Sequence, residues 1–114
     1  MNNQGVIPEN VKLISTERFA QGGKSSENFK NFNLAFHVDD NPENVLANRS
    51  ILRDHYDLPS EPVWINQTHS SICINASLND SLVEADASFS SKPGIVCAIL
   101  TADCLPVFIF KKDG

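Results

Sequence analysis

No apolar run in the chain approaches the roughly 20 residues that a helix needs to cross a bilayer. The opening Met1-Asn2-Asn3-Gln4-Gly5 has no basic stretch leading into an apolar one. Neither a membrane span nor a secretory leader is expected, and the cytoplasm is the expected compartment. Basic residues are few: nine Lys and Arg against 14 Asp and Glu leave a net charge of −5. Nucleic acids and anionic membranes are bound through basic patches that displace counterions, so a small-molecule partner fits better than either. Cysteine is scarce too. Cys73, Cys97 and Cys104 are odd in number and contain no CxxC pair, which argues against a disulfide framework and predicts reduced thiols. The glycines of Gln21-Gly22-Gly23-Lys24-Ser25-Ser26 mark a turn, because their spacing is not the Gly-x4-Gly-Lys of a phosphate-cradling loop. Repeats, low-complexity tracts and linkers are also missing, so a second domain is not expected.

A chain of 114 residues with 41% apolar composition is expected to fold as one modest α/β unit, burying about two-thirds of its unfolded surface. Val11–Ser15 alternates weakly as a strand. Asn41-Pro42-Glu43 is a helix start, with a capping amide, a preset first residue and an acid that complements the dipole. The helix is predicted from Pro42 to about Tyr56, with Val45, Leu46, Arg49, Leu52 and Tyr56 on one side, stopped by Pro59 and Pro62. From Val63 the period becomes two, with Val63, Ile65, Gln67 and His69 on one side and Trp64, Asn66 and Thr68 on the other. Ile72–Ile74 is a short strand, and Ile95–Leu100 a strand covered on both faces. Cys73 and Cys97, inside these runs, are expected to act as small buried hydrophobes. Val107–Phe110 is a further strand. The Asp113-Gly114 pair after it signals a hairpin with no strand to return, which predicts a truncated or split chain.

His69 and Cys104 are the side chains best suited to chemistry, each at a strand end beside polar residues. Imidazole and thiolate are favoured zinc ligands, but two residues alone leave three readings open: a metal pair, a Cys-His nucleophilic pair, or ordinary structural placement. Asp103 can orient a ligating imidazole or satisfy a tight turn before Pro106. Asp86 is read as a solvated or capping acid, and His55 as a cation suited to the end of its helix.

Several motifs occur together and in order: Gly22-Gly23-Lys24-Ser25, Phe32-Asn33-Leu34-Ala35, His37-Val38-Asp39-Asp40, Asn48-Arg49, Gln67-Thr68-His69-Ser70, Ala85-Asp86-Ala87 and Thr101-Ala102-Asp103-Cys104-Leu105-Pro106. The set resembles the YfiH-like, or laccase-domain, family. The resemblance implies a mixed α/β fold of packed mixed sheets with flanking helices, comparable in outline to cytotoxic necrotizing factor domains. Residues 1–114 would be the N-terminal portion of one such domain, incomplete at its C-terminus.

It also implies that His69 and Cys104 are metal ligands, with Asp103 beside them in the catalytic set. Zinc is the expected ion and copper the alternative. A third ligand would come from a histidine segment beyond this chain, supplied by the missing half or by a second chain. The implied activity is phosphorolysis of purine nucleosides (adenosine, inosine, guanosine or methylthioadenosine), with adenosine deamination beside it and polyphenol oxidation less favoured. Purine nucleoside and phosphate are the implied partners, and Asn33 and His37 candidate substrate contacts. Two departures bear on loop geometry: Asp39 and Ser70 stand where the family pattern has glycine. The alternatives are a cysteine hydrolase using Cys104 and a histidine, or a non-catalytic fragment.

Overall fold

A computed structural model describes residues 7–16, 22–25, 32–35, 40–79, 82–101 and 105–111. Among the described residues one helix, α1 (Pro42–His55), is followed by four short strands: β1 (Ile65–Asn66), β2 (Cys73–Asn75), β3 (Val83–Glu84) and β4 (Ala87–Phe89), with a 3-10 turn at Ala76–Leu78 after β2. β1 pairs with β3 and β2 with β4, both in parallel. The described strands are thus two parallel pairs, compatible with an α/β fold, rather than the mixed sheets expected.

The start of α1 is as the sequence predicts: the Asn41 side chain accepts from the Glu43 amide at 2.9 Å, and Pro42 opens the first turn. Its end is sharper than proline alone would make it. Asp57 adopts a left-handed backbone with φ 49°, the Leu58 amide donates to Arg53 O at 3.0 Å, and the Asp57 amide to Asp54 O at 3.3 Å. These bonds satisfy carbonyls that would otherwise be orphaned, and Asp fills the left-handed position usually given to glycine.

The buried stripe of α1 is Val45, Asn48, Arg49 and Leu52, the spacing of one helical face. Leu46, expected on that face, lies a helical step away and is 57% exposed. Leu52 packs with Phe32, Leu34 and Trp64 in the core, flanked by Ile51, Tyr56, Leu58, Ala98 and Leu100. The Arg49 guanidinium lies 4.1 Å from the centre of the Trp64 ring while its Nε donates to Leu34 O at 2.8 Å, so one side chain ties helix, loop and strand together.

Several expected strands are shorter than their apolar runs. Val11–Ser15 is irregular; the Val11 amide closes a turn on Pro8 O at 3.0 Å instead. In Ile95–Leu100, Cys97 alone forms a bridge, parallel to Val63. Trp64 and Ile65 are both buried although they point to opposite faces, so the alternation read from Val63 is broken by burial on both sides. Cys73 and Cys97 are exposed rather than buried, although the Cys97 thiol is partly desolvated beside Ser88 of β4. Residues 105–110 form no ladder among the described residues and expose Leu105, Val107 and Ile109. No helix among the described residues is long and apolar enough to cross a membrane.

Candidate functional site

The two strand pairs share one feature that builds a site. Residues 82–89 run first beside β1 and then beside β2: Leu82 N donates to Trp64 O at 2.6 Å, Ala85 N to Asn66 O at 3.1 Å and Asp86 N to Ile72 O at 3.0 Å. Between the two pairings six residues, 67–72, lie opposite two, 85–86. The surplus must leave the ladder, and it does so as the Gln67-Thr68-His69-Ser70 turn.

Asp86 sits at the base of this turn. Its carboxylate accepts from the amides of Thr68 at 3.1 Å, His69 at 3.0 Å and Ser70 at 2.7 Å, and from the Ser70 hydroxyl at 2.7 Å. The Ser70 hydroxyl and amide first, with the Thr68 and His69 amides, outweigh burial and hold the carboxyl at about 2. It is therefore ionised across the physiological range, and acceptance from several N–H groups is what favours that charge. His69 itself has φ 60°, a left-handed conformation that costs a non-glycine residue about 1–2 kcal/mol. The Asp86 bonds oppose that cost. The His69 side chain is exposed and makes no hydrogen bond among the described residues.

Gln67 fixes the turn from its other end. Its Nε2 donates to Leu100 O at 2.8 Å and its Oε1 accepts from Leu100 N at 2.8 Å. The side-chain amide thus takes the place of a ladder partner and brings the turn against the residue that precedes Thr101. The sequence continues from there into Ala102-Asp103-Cys104. Asp103 and Cys104 lie outside the described residues, as does His37. Among the described residues no three His, Cys, Asp or Glu side chains gather as a metal-binding group.

The other family-like motifs meet in a buried polar cluster on α1. Asn48, fully buried, donates through Nδ2 to Ser25 Oγ at 2.8 Å and to Asn33 O at 2.9 Å, and its Oδ1 accepts from Lys24 N at 2.8 Å. Ser25 Oγ donates in turn to Asp40 Oδ2 at 2.5 Å. Asn33 Nδ2 donates to that same oxygen and to Ala35 O, each at 3.1 Å, and Asn33 Oδ1 accepts from Ala35 N at 3.1 Å. Burial pushes the Asp40 carboxyl up, but the bonds from Ser25, Asn33 and Asn41 together leave it below the ordinary carboxylate value. The Asn33 side chain is thus engaged in shaping its own loop. Asp86, Gln67 and Asn48 are the residues whose roles sequence reasoning missed. Their signal was the Ala85-Asp86-Ala87, Gln67-x-His69 and Asn48-Arg49 motifs, which name the residues without naming their partners.

Residues 12–114 match the family model described as multi-copper polyphenol oxidoreductase laccase, and the chain belongs to that family. It is 38% identical over 108 residues to a Haemophilus influenzae protein named purine nucleoside phosphorylase, covering 95% of this chain and 43% of that protein. To the Escherichia coli protein named purine nucleoside phosphorylase YfiH it is 40% identical over 108 residues, covering 94% and 44%. A crystal structure of Neisseria meningitidis protein NMB0706, of the DUF152 family, superimposes with a TM-score of 0.65 at 39% identity, covering 73% of this chain and 34% of that one. The chain spans less than half the length of these relatives.

Proposed function

We propose that the protein built on this chain is a cytoplasmic, metal-dependent purine nucleoside phosphorylase. The observation that carries this reading is the His69 turn: an exposed imidazole on a backbone held to Asp86 by three amides, with the Ser70 hydroxyl as a fourth donor, and tied by Gln67 to Leu100, from which the sequence leads on to Cys104. The names of the relatives supply the reaction class. The donor chemistry fits a borderline-soft ion, since an uncommitted imidazole and a thiolate are the ligands such ions prefer. Zinc, or copper as the alternative, would be held by His69 and Cys104, with a further ligand from the length of the relatives that this chain does not span or from a second chain. When bound, the ion supplies positive charge for phosphate and polarises water.

In phosphorolysis a phosphate oxygen forms a bond to the anomeric ribose carbon as the carbon–nitrogen bond to the purine breaks, the electron pair leaving with the base. The residues of this chain have to orient the two reactants. Asp86 and Gln67 hold the turn, and Asp103 would orient the His69 imidazole. His37 and Asn33 would contact the nucleoside, Asn33 through the loop conformation that its bonds to Ala35 and Asp40 maintain. Residues 1–114 act as part of one domain.

The expected result is phosphate-dependent release of free base from adenosine or inosine by the protein carrying this chain together with the rest of the relatives' length. Chromatography of the reaction mixture reads it. Chelation should stop the release and zinc restore it, whereas alkylation alone stopping it would favour Cys104 as a nucleophile. Inosine formed from adenosine without phosphate would assign deamination. No base across a purine-nucleoside panel, with metal bound, would overturn the proposal.

A further inference from the structure

We infer that Asp86 is the positioning residue of the His69 site: by taking three consecutive amides of the turn it fixes the left-handed backbone that sets where the imidazole is presented. The inference rests on the reading of His69 as a metal ligand. Three features of the fold carry it. The mismatch of six residues against two forces residues 67–72 out of the ladder, so their amides lose strand partners and need another acceptor. Asp86 lies in the two-residue segment opposite and meets the Thr68, His69 and Ser70 amides together. His69 is one of three described non-glycine residues with positive φ, and its amide is the middle one of the three that Asp86 binds.

Ser70 strengthens the same clamp. Its hydroxyl donates to Asp86 Oδ1 at 2.7 Å, a bond that a glycine in its place could not make, and accepts from the Ile72 amide at 3.3 Å. The hydroxyl therefore links both ends of the turn to one carboxylate. Asp86 has no place among the ligands, and its effect is transmitted through the His69 backbone.

Zinc alone is titrated into the full protein and into Asp86→Asn, Ser70→Ala and His69→Ala variants, with backbone amide resonances followed in parallel. Residues that orient a ligand without touching the metal typically contribute about 10- to 100-fold in affinity, and a loss of that order is expected for Asp86→Asn. An asparagine amide in this place turns a donor toward donors. The resonances of Thr68, His69 and Ser70 should move while those of α1 stay, a pattern that general loss of structure would not give. Ser70→Ala keeps the three amide bonds and should lose less affinity than Asp86→Asn.

Wild-type zinc affinity in Asp86→Asn, with zinc lost in His69→Ala, would overturn the inference and leave the metal reading standing. Undiminished zinc in His69→Ala would overturn the metal reading and the inference with it. If Asp86→Asn does not fold, Ser70→Ala decides: unchanged affinity and unchanged turn resonances overturn the role given to the clamp.

Discussion

Asn48→Asp is expected to destabilise the protein by about 3–5 kcal/mol, the cost of an uncompensated buried charge. Asn48 is fully buried and its Nδ2 donates to both Ser25 Oγ and Asn33 O. Aspartate has nearly the same shape, but it replaces that donor with an oxygen facing two oxygens. The Ser25 hydroxyl cannot turn to help without leaving Asp40 Oδ2. Asn48→Ala brings in no charge and takes away the acceptor of the Lys24 amide, so it should cost less, about 1–3 kcal/mol. Domains of this kind have about 5–15 kcal/mol in total, so the aspartate variant would sit close to unfolding. Urea denaturation measures the difference. Leu46→Gln on the same helix provides the contrast, because Leu46 is exposed and surface changes usually stay within about 0.5 kcal/mol. A large effect at Leu46 and none at Asn48 would show that the helix faces the core by the stripe read from sequence rather than the one described.

The second large effect is functional. His69→Ala should retain the fold and lose both bound zinc and base release, by more than the roughly 10- to 100-fold cost of losing a residue that only orients a ligand. The fold should survive because the His69 side chain is exposed and its bond to Asp86 is made by the backbone amide, which alanine keeps. Stability within about 0.5 kcal/mol of the parent would match a surface substitution. Metal analysis of the purified variant, beside steady-state release of base, checks both halves. Full zinc and full turnover in the folded variant would remove His69 from the site.

How far the sequence carried this picture differs from element to element. The helix was legible because its signals are local: Asn41, Pro42 and Glu43 act within one turn. Its C-terminal stop at Asp57 was not, since an aspartate rarely marks the left-handed position that glycine usually takes. The buried face includes Arg49, as the spacing predicts, and differs from the expected one at Leu46 and Asn48, because hydrophobicity does not fix burial and Asn48 is buried for its hydrogen bonds. His69 was legible as a candidate from its type and motif. Asp86 was not legible as its partner, because the contact depends on the register of two separate parallel pairings, which residue type does not encode. The exposed Cys73, Cys97 and Ile109 show the same limit: an apolar run tells what a strand prefers, not which element covers it.

The measurement that tests the site most directly is an anomalous-scattering crystal structure of the zinc-loaded protein. The expected result is one zinc within bonding distance of the His69 imidazole and the Cys104 thiolate, with the Asp86 carboxylate still on the amides of Thr68, His69 and Ser70. Zinc bound elsewhere, with His69 facing solvent and Cys104 apart from it, would contradict the site proposed for this chain.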